Sequence, residues 1–262
     1  MNIYGAPPFS AAIAVTMEFM YPVAKKEKES RPSMKAKTEA RCADCTIRAR
    51  EKSCLNPKGK GIKGCPTLNK RTLVEESREE YRKKEIGEFA RQASIQEGEC
   101  YAHRDHQPYI PHPTKPRIQE ICEFAHKMGY TRLGLAYCIG LAREAVLVVQ
   151  ILEAQGFDVV SVMCKVGSIP KEEIGIQETE KIRIGQYESM CNPVLQAKIL
   201  NDAMTHFNIA LGLCVGHDSL FFQYADAPTT VLAVKDRVSG HNPLAPIYTS
   251  ASYYARLMKK GF

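Results

Sequence analysis

The chain has 262 residues, of which 44% are hydrophobic and 25% charged, and it contains no tryptophan. This composition suits a globular protein of one or two domains, and no run of about 18 apolar residues predicts a membrane span. The net charge of +7 is concentrated in residues 24–91, where 20 Lys and Arg stand against 11 Asp and Glu. Such a basic region could attract nucleic acid or offset the negative charge of metal-bound thiolates, and we favour the second interpretation.

The first 38 residues are predicted to be a disordered extension, because their end is highly charged and poor in apolar residues. The stretch 9–24 lacks a basic start and contains Glu18, which argues against a secretory signal and predicts a cytoplasmic protein. Met34 is an alternative start. Thiols stay reduced in the cytoplasm, so ten cysteines indicate metal or redox chemistry before disulfides.

Residues 39–66 are predicted to form a small metal-binding module. Their four cysteines have the spacing C-x2-C-x8-C-x10-C, in which the first pair can meet one ion and the later two can close a tetrahedron. So polar a segment cannot bury enough apolar surface to fold alone, whereas a structural metal supplies on the order of 10 kcal/mol. Both zinc and an iron–sulfur cluster remain open, and the spacing leans towards zinc. The predicted ligands are Cys42, Cys45, Cys54 and Cys65.

Residues 67–112 are predicted to be a helical linker, over 67–98, followed by a proline-containing loop. Residues 113–262 then alternate between apolar strands and helices, which predicts an α/β domain with a mostly parallel sheet covered on both faces. Right-handed crossovers would make it a Rossmann-like three-layer domain. After a first helix that ends at Gly129, the predicted strands are 132–138, 158–164, 208–214 and 229–236, and the predicted helices are 141–156, 194–207 and 219–226.

Four later cysteines are predicted to share one edge of that sheet. Cys138, Cys164 and Cys214 end the first three strands, and parallel strands deliver their ends to the same edge, where open α/β sheets bind ligands. Cys191 precedes a helix, whose unpaired N–H groups favour a thiolate at this edge. The pattern predicts a second metal or cluster site, or a group of redox-active thiols.

Polar residues near this edge add candidates for chemistry. His217 could be a ligand or an acid–base group, and Asp218 is predicted to cap the next helix. Lys235 and Arg237 could hold a small anionic ligand. The polar excursion 165–190 is long enough to be a lid over the thiol edge. The candidates for catalysis are Cys191, Cys214, His217 and Lys235, and those for binding a cofactor are Cys138, Cys164, Cys191, Cys214 and His217.

The runs "MGYTRLGLAYCIGLAREA", "MCNPVLQAKILN", "GLCVGHDSLF" and "KDRVSGHNP" together resemble the bacterial domain of unknown function 1847 family. Members of that family are described as predicted metal-binding proteins, and no reaction is assigned to them. The resemblance extends from about residue 40 to the C-terminus. It implies a cysteine-rich amino end, and it places Cys138, Cys191, Cys214, His217 and Asp218 in recurrent motifs.

The leading interpretation is a metal-binding protein with a four-cysteine zinc or iron–sulfur site and a second thiol-rich site that serves redox chemistry, metal handling or small-ligand binding. One alternative is a zinc-ribbon module that contacts nucleic acid or protein. Another is a metal-independent thiol enzyme or redox sensor with Cys191 or Cys214 as its nucleophile. The sequence leaves the substrate, the metal, any reaction and the oligomeric state open.

Overall fold

A computed structural model describes residues 39–261 of the chain. The predicted extension 1–38 lies outside the described residues. These divide into two compact units, one that ends at Ser77 and one that begins at Arg78. Within the described range, no helix combines the length and the apolar content that crossing a bilayer requires.

The first unit has almost no buried core. It contains short 3-10 turns at Cys42–Asp44 and Ala49–Glu51, then helix α1 (Pro66–Asn69) and the beginning of α2 (Arg71–Arg82). A single parallel bridge joins Lys52 to Lys60. Between residues 39 and 77, Gly64 alone is buried. Hydrophobic burial therefore contributes little to holding this segment in one conformation.

The predicted helical stretch 67–98 is three helices rather than one. After α1 and α2 comes α3 (Lys84–Glu99), and Lys70 and Lys83 adopt non-helical dihedrals between them. Two short antiparallel strands and a further helix follow, namely β1 (Tyr101–Ala102), β2 (His112–Pro113) and α4 (Arg117–Lys127). Gly129, with φ of 68°, lies just beyond the last helix and stops it as predicted.

The rest of the second unit alternates strands and helices and forms a four-stranded parallel sheet, which confirms the α/β class. The strand order is β4-β3-β5-β6. The elements are β3 (Arg132–Tyr137), α5 (Ala142–Ala154), β4 (Asp158–Met163), α6 (Pro193–Asp202), β5 (Phe207–Leu211), α7 (His217–Tyr224), β6 (Thr229–Ala233) and α8 (Leu244–Tyr248), with further 3-10 turns at Ile139–Leu141, Lys171–Ile174, Glu178–Glu180 and Ala255–Met258.

Helices cover both faces of the sheet. On one face, Leu133 and Leu135 of β3 pack in a cluster with α4 and α5. On the other face, Ala136 of β3 and Ala210 of β5 pack with α6 and α7. Alternate side chains of one strand thus enter two separate cores, which is why the strand sequences are almost continuously apolar.

The strand order places a topological switch point at the carboxyl ends of β3 and β5. From β3 the chain first adds β4 on one side and then crosses to add β5 on the other side. The connections that leave two neighbouring strands in opposite directions separate at such a switch point, and open α/β sheets bind ligands there. Cys138 follows the last residue of β3, at this point.

A thiol site at the strand ends

Three cysteines reach the switch point from three different elements. Cys138 follows β3, Cys164 follows β4, and Cys191 precedes the first turn of α6. Backbone hydrogen bonds fix the segments, because Cys164 N donates to Tyr137 O at 2.9 Å and Asn192 N donates to Cys164 O at 2.7 Å. All three cysteines are free thiols.

Their side chains differ in exposure to solvent. Cys138 and Cys164 are buried, with 7% and 3% of their surface exposed. Cys191 is only partly buried. Cys191 is thus the residue of the three with the largest exposed fraction of its surface.

Cys164 occupies the middle of the group. Its Sγ lies 3.9 Å from Cys191 Sγ, and Cys138 is close enough to affect the ionisation of the Cys164 thiol. The backbone N–H of Ile139 donates a further hydrogen bond to Cys164 Sγ at 3.3 Å. Three sulfur atoms from distant parts of the chain thus form one connected chain of contacts, which we call the thiol trio (Cys138, Cys164 and Cys191).

A cation lies at each end of the thiol trio. At one end, Lys235 faces Cys138 across Gly140: a Cβ built on Gly140 would lie 3.3 Å from Lys235 Nζ and 3.9 Å from Cys138 Sγ. At the other end, the imidazole of His217 and the ammonium group of Lys165 both lie close enough to Cys191 to affect the ionisation of its thiol.

These contacts lower the pKa of the two outer thiols and raise that of the central one. Cys138 has a lowered pKa, chiefly through its interaction with Cys164, with help from Gly140 N–H and Lys235. The pKa of Cys191 falls to about 4, through Cys164 and then His217. The two thiolate neighbours and burial raise the pKa of Cys164, so this thiol keeps its proton. The contact with Cys191 also raises the pKa of His217, which favours the imidazolium.

Cys214, predicted to join the other strand-end cysteines, instead contacts Arg237, whose Nη2 donates to its Sγ at 3.2 Å. The reason is a shorter strand than the sequence pattern suggested. β5 ends at Leu211, and Gly212, with φ of 63°, turns the chain before Cys214 is reached. The structure therefore brings together Cys138, Cys164, Cys191 and His217, with Lys235 beside them.

Near the site, one expectation was wrong and two residues were missed. Asp218 is not the cap of α7, because Gly216 precedes the first residue of that helix and the Asp218 carboxylate accepts from Ser219 N. Lys165 was not singled out from the sequence, although its position directly after Cys164 could have indicated it. Gln196 was also missed: it is completely buried, and its Nε2 donates to the carbonyls of Val162 and Tyr137 at the ends of β4 and β3.

The excursion 165–190 starts and ends at the thiol trio. Its base is closed by Met190 N, which donates to Ile169 O at 2.8 Å, and by Lys165 Nζ, which donates to Ser189 O at 2.5 Å. Farther out, Lys171 pairs with Glu188 at 2.6 Å. The segment is thus an ordered loop whose two ends hold Cys164 and Cys191 side by side.

The four amino-terminal cysteines lie on segments that hydrogen bonds bring together. Arg41 N donates to Gly64 O at 3.0 Å, which brings the segment of Cys42 alongside that of Cys65. Ser53, next to Cys54 in the chain, places its Oγ 3.4 Å from Cys65 Sγ. That contact, together with the N–H groups of the first turn of α1, lowers the pKa of Cys65.

No group of three or more His, Cys, Asp or Glu side chains within residues 39–261 is arranged so that it could hold a metal ion. This holds for the amino-terminal cysteines, of which Cys42 and Cys54 are exposed, and for the thiol trio. At both metal sites predicted from the sequence, thiol groups suitable as ligands lie on neighbouring backbone segments. Their side chains are not arranged around a common point where a metal ion could be bound.

Comparisons with known proteins place the chain in a family. The profile of the family described as "Protein of unknown function (DUF1847)" matches residues 65–232, a narrower range than the sequence motifs suggested, and it includes the thiol trio and His217. The chain is 39% identical over 199 residues to "Uncharacterized protein MJ0455" of Methanocaldococcus jannaschii, a match that covers 75% of this chain and 98% of that protein. No solved structure matches the chain. The chain belongs to the family of proteins of unknown function DUF1847.

Proposed function

We propose that the α/β unit carries a thiol–disulfide redox centre in which Cys191 is the nucleophile and Cys164 is the resolving thiol. The observation that carries this proposal is the 3.9 Å contact between the sulfur of a partly exposed cysteine and that of a buried one. A thiol–disulfide reaction needs a thiolate that the substrate can reach and a second thiol within side-chain motion of the first. The partly exposed Cys191 is placed to be the reachable thiolate, and the buried Cys164 is placed to be the second thiol.

The location at the switch point supports this proposal. If the unit is Rossmann-like, as its strand order with the first long strand in the interior suggests, its ligand crevice opens beside Cys138 and the thiol trio. The excursion 165–190 would then border the crevice as a lid, since it starts and ends at the same place.

The reaction would proceed in two exchanges. The Cys191 thiolate attacks one sulfur of a substrate disulfide, and the other substrate sulfur leaves as a thiolate that takes up a proton. Cys164 then loses its proton and attacks the Cys191 sulfur, so that the mixed disulfide breaks and the second substrate thiol leaves. The substrate gains two electrons and two protons, and the protein is left with a Cys164–Cys191 disulfide, which a dithiol reductant would reverse.

The His217 imidazolium would have a specific part in this cycle. It lies against the Cys191 sulfur, where it stabilises the attacking thiolate and stabilises the same thiolate again when it is the leaving group during reduction. Lys165 would add positive charge on the same side. His217 and Lys165 would thus supply the positive charge that stabilises the Cys191 thiolate during the exchange.

An aromatic disulfide that releases a coloured thiolate tests the proposal. One equivalent should modify Cys191 first and then release a second coloured thiolate, leaving a Cys164–Cys191 disulfide that peptide mass mapping identifies. Cys164→Ser should stop after the first release, with the probe still attached to Cys191. Cys214→Ser is the matched control, because it removes a thiol near the same edge that contacts Arg237 instead, and it should react like the parent. First modification at other cysteines, with Cys191 unreacted, would refute the assignment.

A second candidate function, metal binding by the thiol trio, is favoured by the same distance. Two sulfurs bound to one zinc ion at about 2.3 Å stand about 3.8 Å apart at the tetrahedral angle. The distance from Cys164 Sγ to Cys191 Sγ is 3.9 Å, and His217 could supply a nitrogen donor. Anaerobic purification followed by metal analysis separates the two candidates. Stoichiometric metal that is lost in Cys164→Ser and retained in Cys214→Ser would favour metal handling.

For the amino-terminal module we propose a structural metal held by Cys42, Cys45, Cys54 and Cys65, either as zinc or as an iron–sulfur cluster. The support is the missing core: residues 39–66 bury only Gly64, yet hydrogen bonds hold the cysteine-bearing segments side by side. Thiolates are suitable donors for both metals. The visible spectrum would distinguish a coloured cluster from colourless zinc.

A further inference from the structure

Cys164 has two thiol neighbours, and the exchange described above uses only one of them. Cys164 Sγ accepts a hydrogen bond at 3.3 Å from Ile139 N, the residue directly after Cys138, and Cys138 is itself buried. A structural thiol in a core would lie among apolar side chains. Cys138 instead receives a hydrogen bond from Gly140 N–H and faces an ammonium group.

Two glycines leave room for the Lys235 ammonium group near Cys138. Gly140 leaves room for the ammonium group, since a Cβ there would lie 3.3 Å from Lys235 Nζ. A Cβ on Gly212 would likewise lie 3.7 Å from Nζ and would overlap the side chain of Leu141. The ammonium group therefore lies in a gap lined by backbone, where it faces the sulfur of Cys138 and balances a buried negative charge.

From this geometry we infer that Cys138 is the third member of a disulfide relay, which moves the disulfide from the partly exposed Cys164–Cys191 position to a buried Cys138–Cys164 position. This inference rests on the proposed redox function. It adds a catalytic residue, Cys138, and it assigns Lys235 and His217 as the residues that set the balance between the two disulfides.

The relay step is an exchange with no net oxidation. The Cys138 thiolate attacks Cys164 Sγ, the Cys164–Cys191 bond breaks, and its electron pair leaves with Cys191 as a thiolate beside His217. No external reactant takes part, because one disulfide and one thiolate are present before and after the step. The oxidised form of the protein would thus store its disulfide out of contact with solvent, and the reverse step would return it to Cys191 for reduction by a dithiol.

The position of this equilibrium depends on which outer thiolate is better stabilised. A cation at Cys138 favours the thiolate there and so favours the Cys164–Cys191 disulfide, whereas a cation at Cys191 favours the buried disulfide. Each pKa unit of difference between the two thiolates changes the ratio by up to about tenfold. Lys235 and His217 thus act in opposite directions on one measurable ratio.

The test is disulfide mapping of the full-length protein after oxidation with one equivalent of the aromatic disulfide, acid quenching and peptide mass spectrometry. The relay predicts both Cys164–Cys191 and Cys138–Cys164 disulfides in the unmodified chain. Lys235→Met should shift the ratio severalfold towards Cys138–Cys164, and His217→Gln should shift it severalfold the other way. Arg237→Gln, which removes a cation that contacts Cys214, should leave the ratio unchanged.

The outcomes separate the relay from the function on which it rests. If the Cys164–Cys191 disulfide forms while Cys138 stays a thiol in the unmodified chain, the relay is wrong and the redox centre stands. If no disulfide that includes Cys164 forms, both are wrong. The unmodified chain alone decides whether Cys138 takes part, so the test does not depend on the folding of any variant.

Discussion

The ionisation of Cys191 depends on residues that lie far from it in the chain. Cys164 precedes it by 27 positions, and His217 follows it by 26. Each contributes one contact, and together they move the pKa of this thiol from the usual range to about 4. At neutral pH the partly exposed sulfur is therefore a thiolate, the form in which cysteine is nucleophilic.

This pKa predicts how the alkylation rate of Cys191 depends on pH. Between about pH 8 and pH 6 the rate with iodoacetamide should change little, whereas a thiol with the reference pKa of about 8.5 slows by up to about 100-fold over the same interval. His217→Gln should restore part of that dependence, because the imidazolium no longer stabilises the thiolate. Peptide-resolved mass spectrometry measures the rate at this one cysteine.

His206→Gln is the control for that measurement. It removes a histidine whose Nδ1 accepts a hydrogen bond from Thr131 N at 3.2 Å, and it should leave the pH dependence of Cys191 alkylation unchanged. An alkylation rate of Cys191 that falls tenfold per pH unit in the unmodified chain would contradict the assigned environment.

At the scale of elements, α6 is tied to the sheet by one buried amide. Gln196 Nε2 donates to Val162 O at 2.7 Å and to Tyr137 O at 3.2 Å, where β4 and β3 end. The helix that starts after Cys191 is thereby held against the strand ends that carry Cys138 and Cys164. The position of Cys191 beside Cys138 and Cys164 therefore depends on this hydrogen-bonded amide as well as on the cysteines themselves.

Replacing Gln196 with methionine should destabilise the protein by about 1–2 kcal/mol, because the Val162 carbonyl loses a buried donor. It should also slow the alkylation of Cys191 by displacing α6. Urea unfolding measures the first effect and peptide-resolved alkylation the second. Gln150→Met, on the exposed side of α5, is the matched control and should leave both unchanged.

The contact between α3 and α4 includes, besides the Phe89–Phe124 ring pair, a hydrogen bond from Gln96 to the Glu123 carboxylate, and this carboxylate predicts a loss of stability in acid. Burial works against ionisation of Glu123, but hydrogen bonds from Lys115, Gln96 and Gln119 outweigh it and lower the pKa to about 2. A carboxyl whose folded pKa lies below its unfolded value of about 4.3 stabilises the fold above that unfolded value, and the contribution is lost as the pH falls towards 2.

Glu123→Gln should therefore destabilise the protein at pH 7 by about 1–3 kcal/mol, and the difference from the parent should shrink when unfolding is measured near pH 3. Glu97→Gln, at an exposed position on α3, is the control and should have little effect at either pH. A difference that is equally large at both pH values would show that Glu123 acts through packing rather than through its charge.

At the scale of the whole molecule, the two units differ in what holds them together. The unit that begins at Arg78 has two apolar clusters, one on each face of its sheet. Residues 39–66 of the other unit have only turns, a bridge and four cysteines. A metal would supply there the free energy that apolar burial supplies in the α/β unit.

Removal of metal with a strong chelator should therefore accelerate tryptic cleavage within residues 39–66, which are rich in Lys and Arg, without accelerating cleavage after Arg78. Cys42→Ser combined with Cys45→Ser should reproduce the effect without chelator. Mass mapping of the fragments measures both. Cleavage rates that are equal with and without chelator, in protein shown to contain metal beforehand, would contradict a structural role for the metal.

The sequence pattern predicted the four long strands and the parallel sheet correctly, and its errors have local causes. β5 and β6 are shorter than predicted and end at Leu211 and Ala233, and after β5 the positive φ of Gly212 turns the chain. The helical stretch 67–98 is interrupted at Lys70 and Lys83, and neither interruption occurs at a glycine or proline. Apolar periodicity identifies the type of element, but it is insensitive to one non-helical residue.

By itself, the sequence determined the α/β class and the common edge of the strand ends, because alternating strands and helices and the direction of parallel strands follow from local patterns. It also determined that Cys138 and Cys164 would end strands. Only the tertiary structure decided that Cys191 and His217 meet these two while Cys214 turns aside to Arg237. The physical reason is that contacts between side chains depend on where each strand ends and how the backbone turns there. After β5 this turn is set by the positive φ of Gly212, which local sequence patterns do not predict.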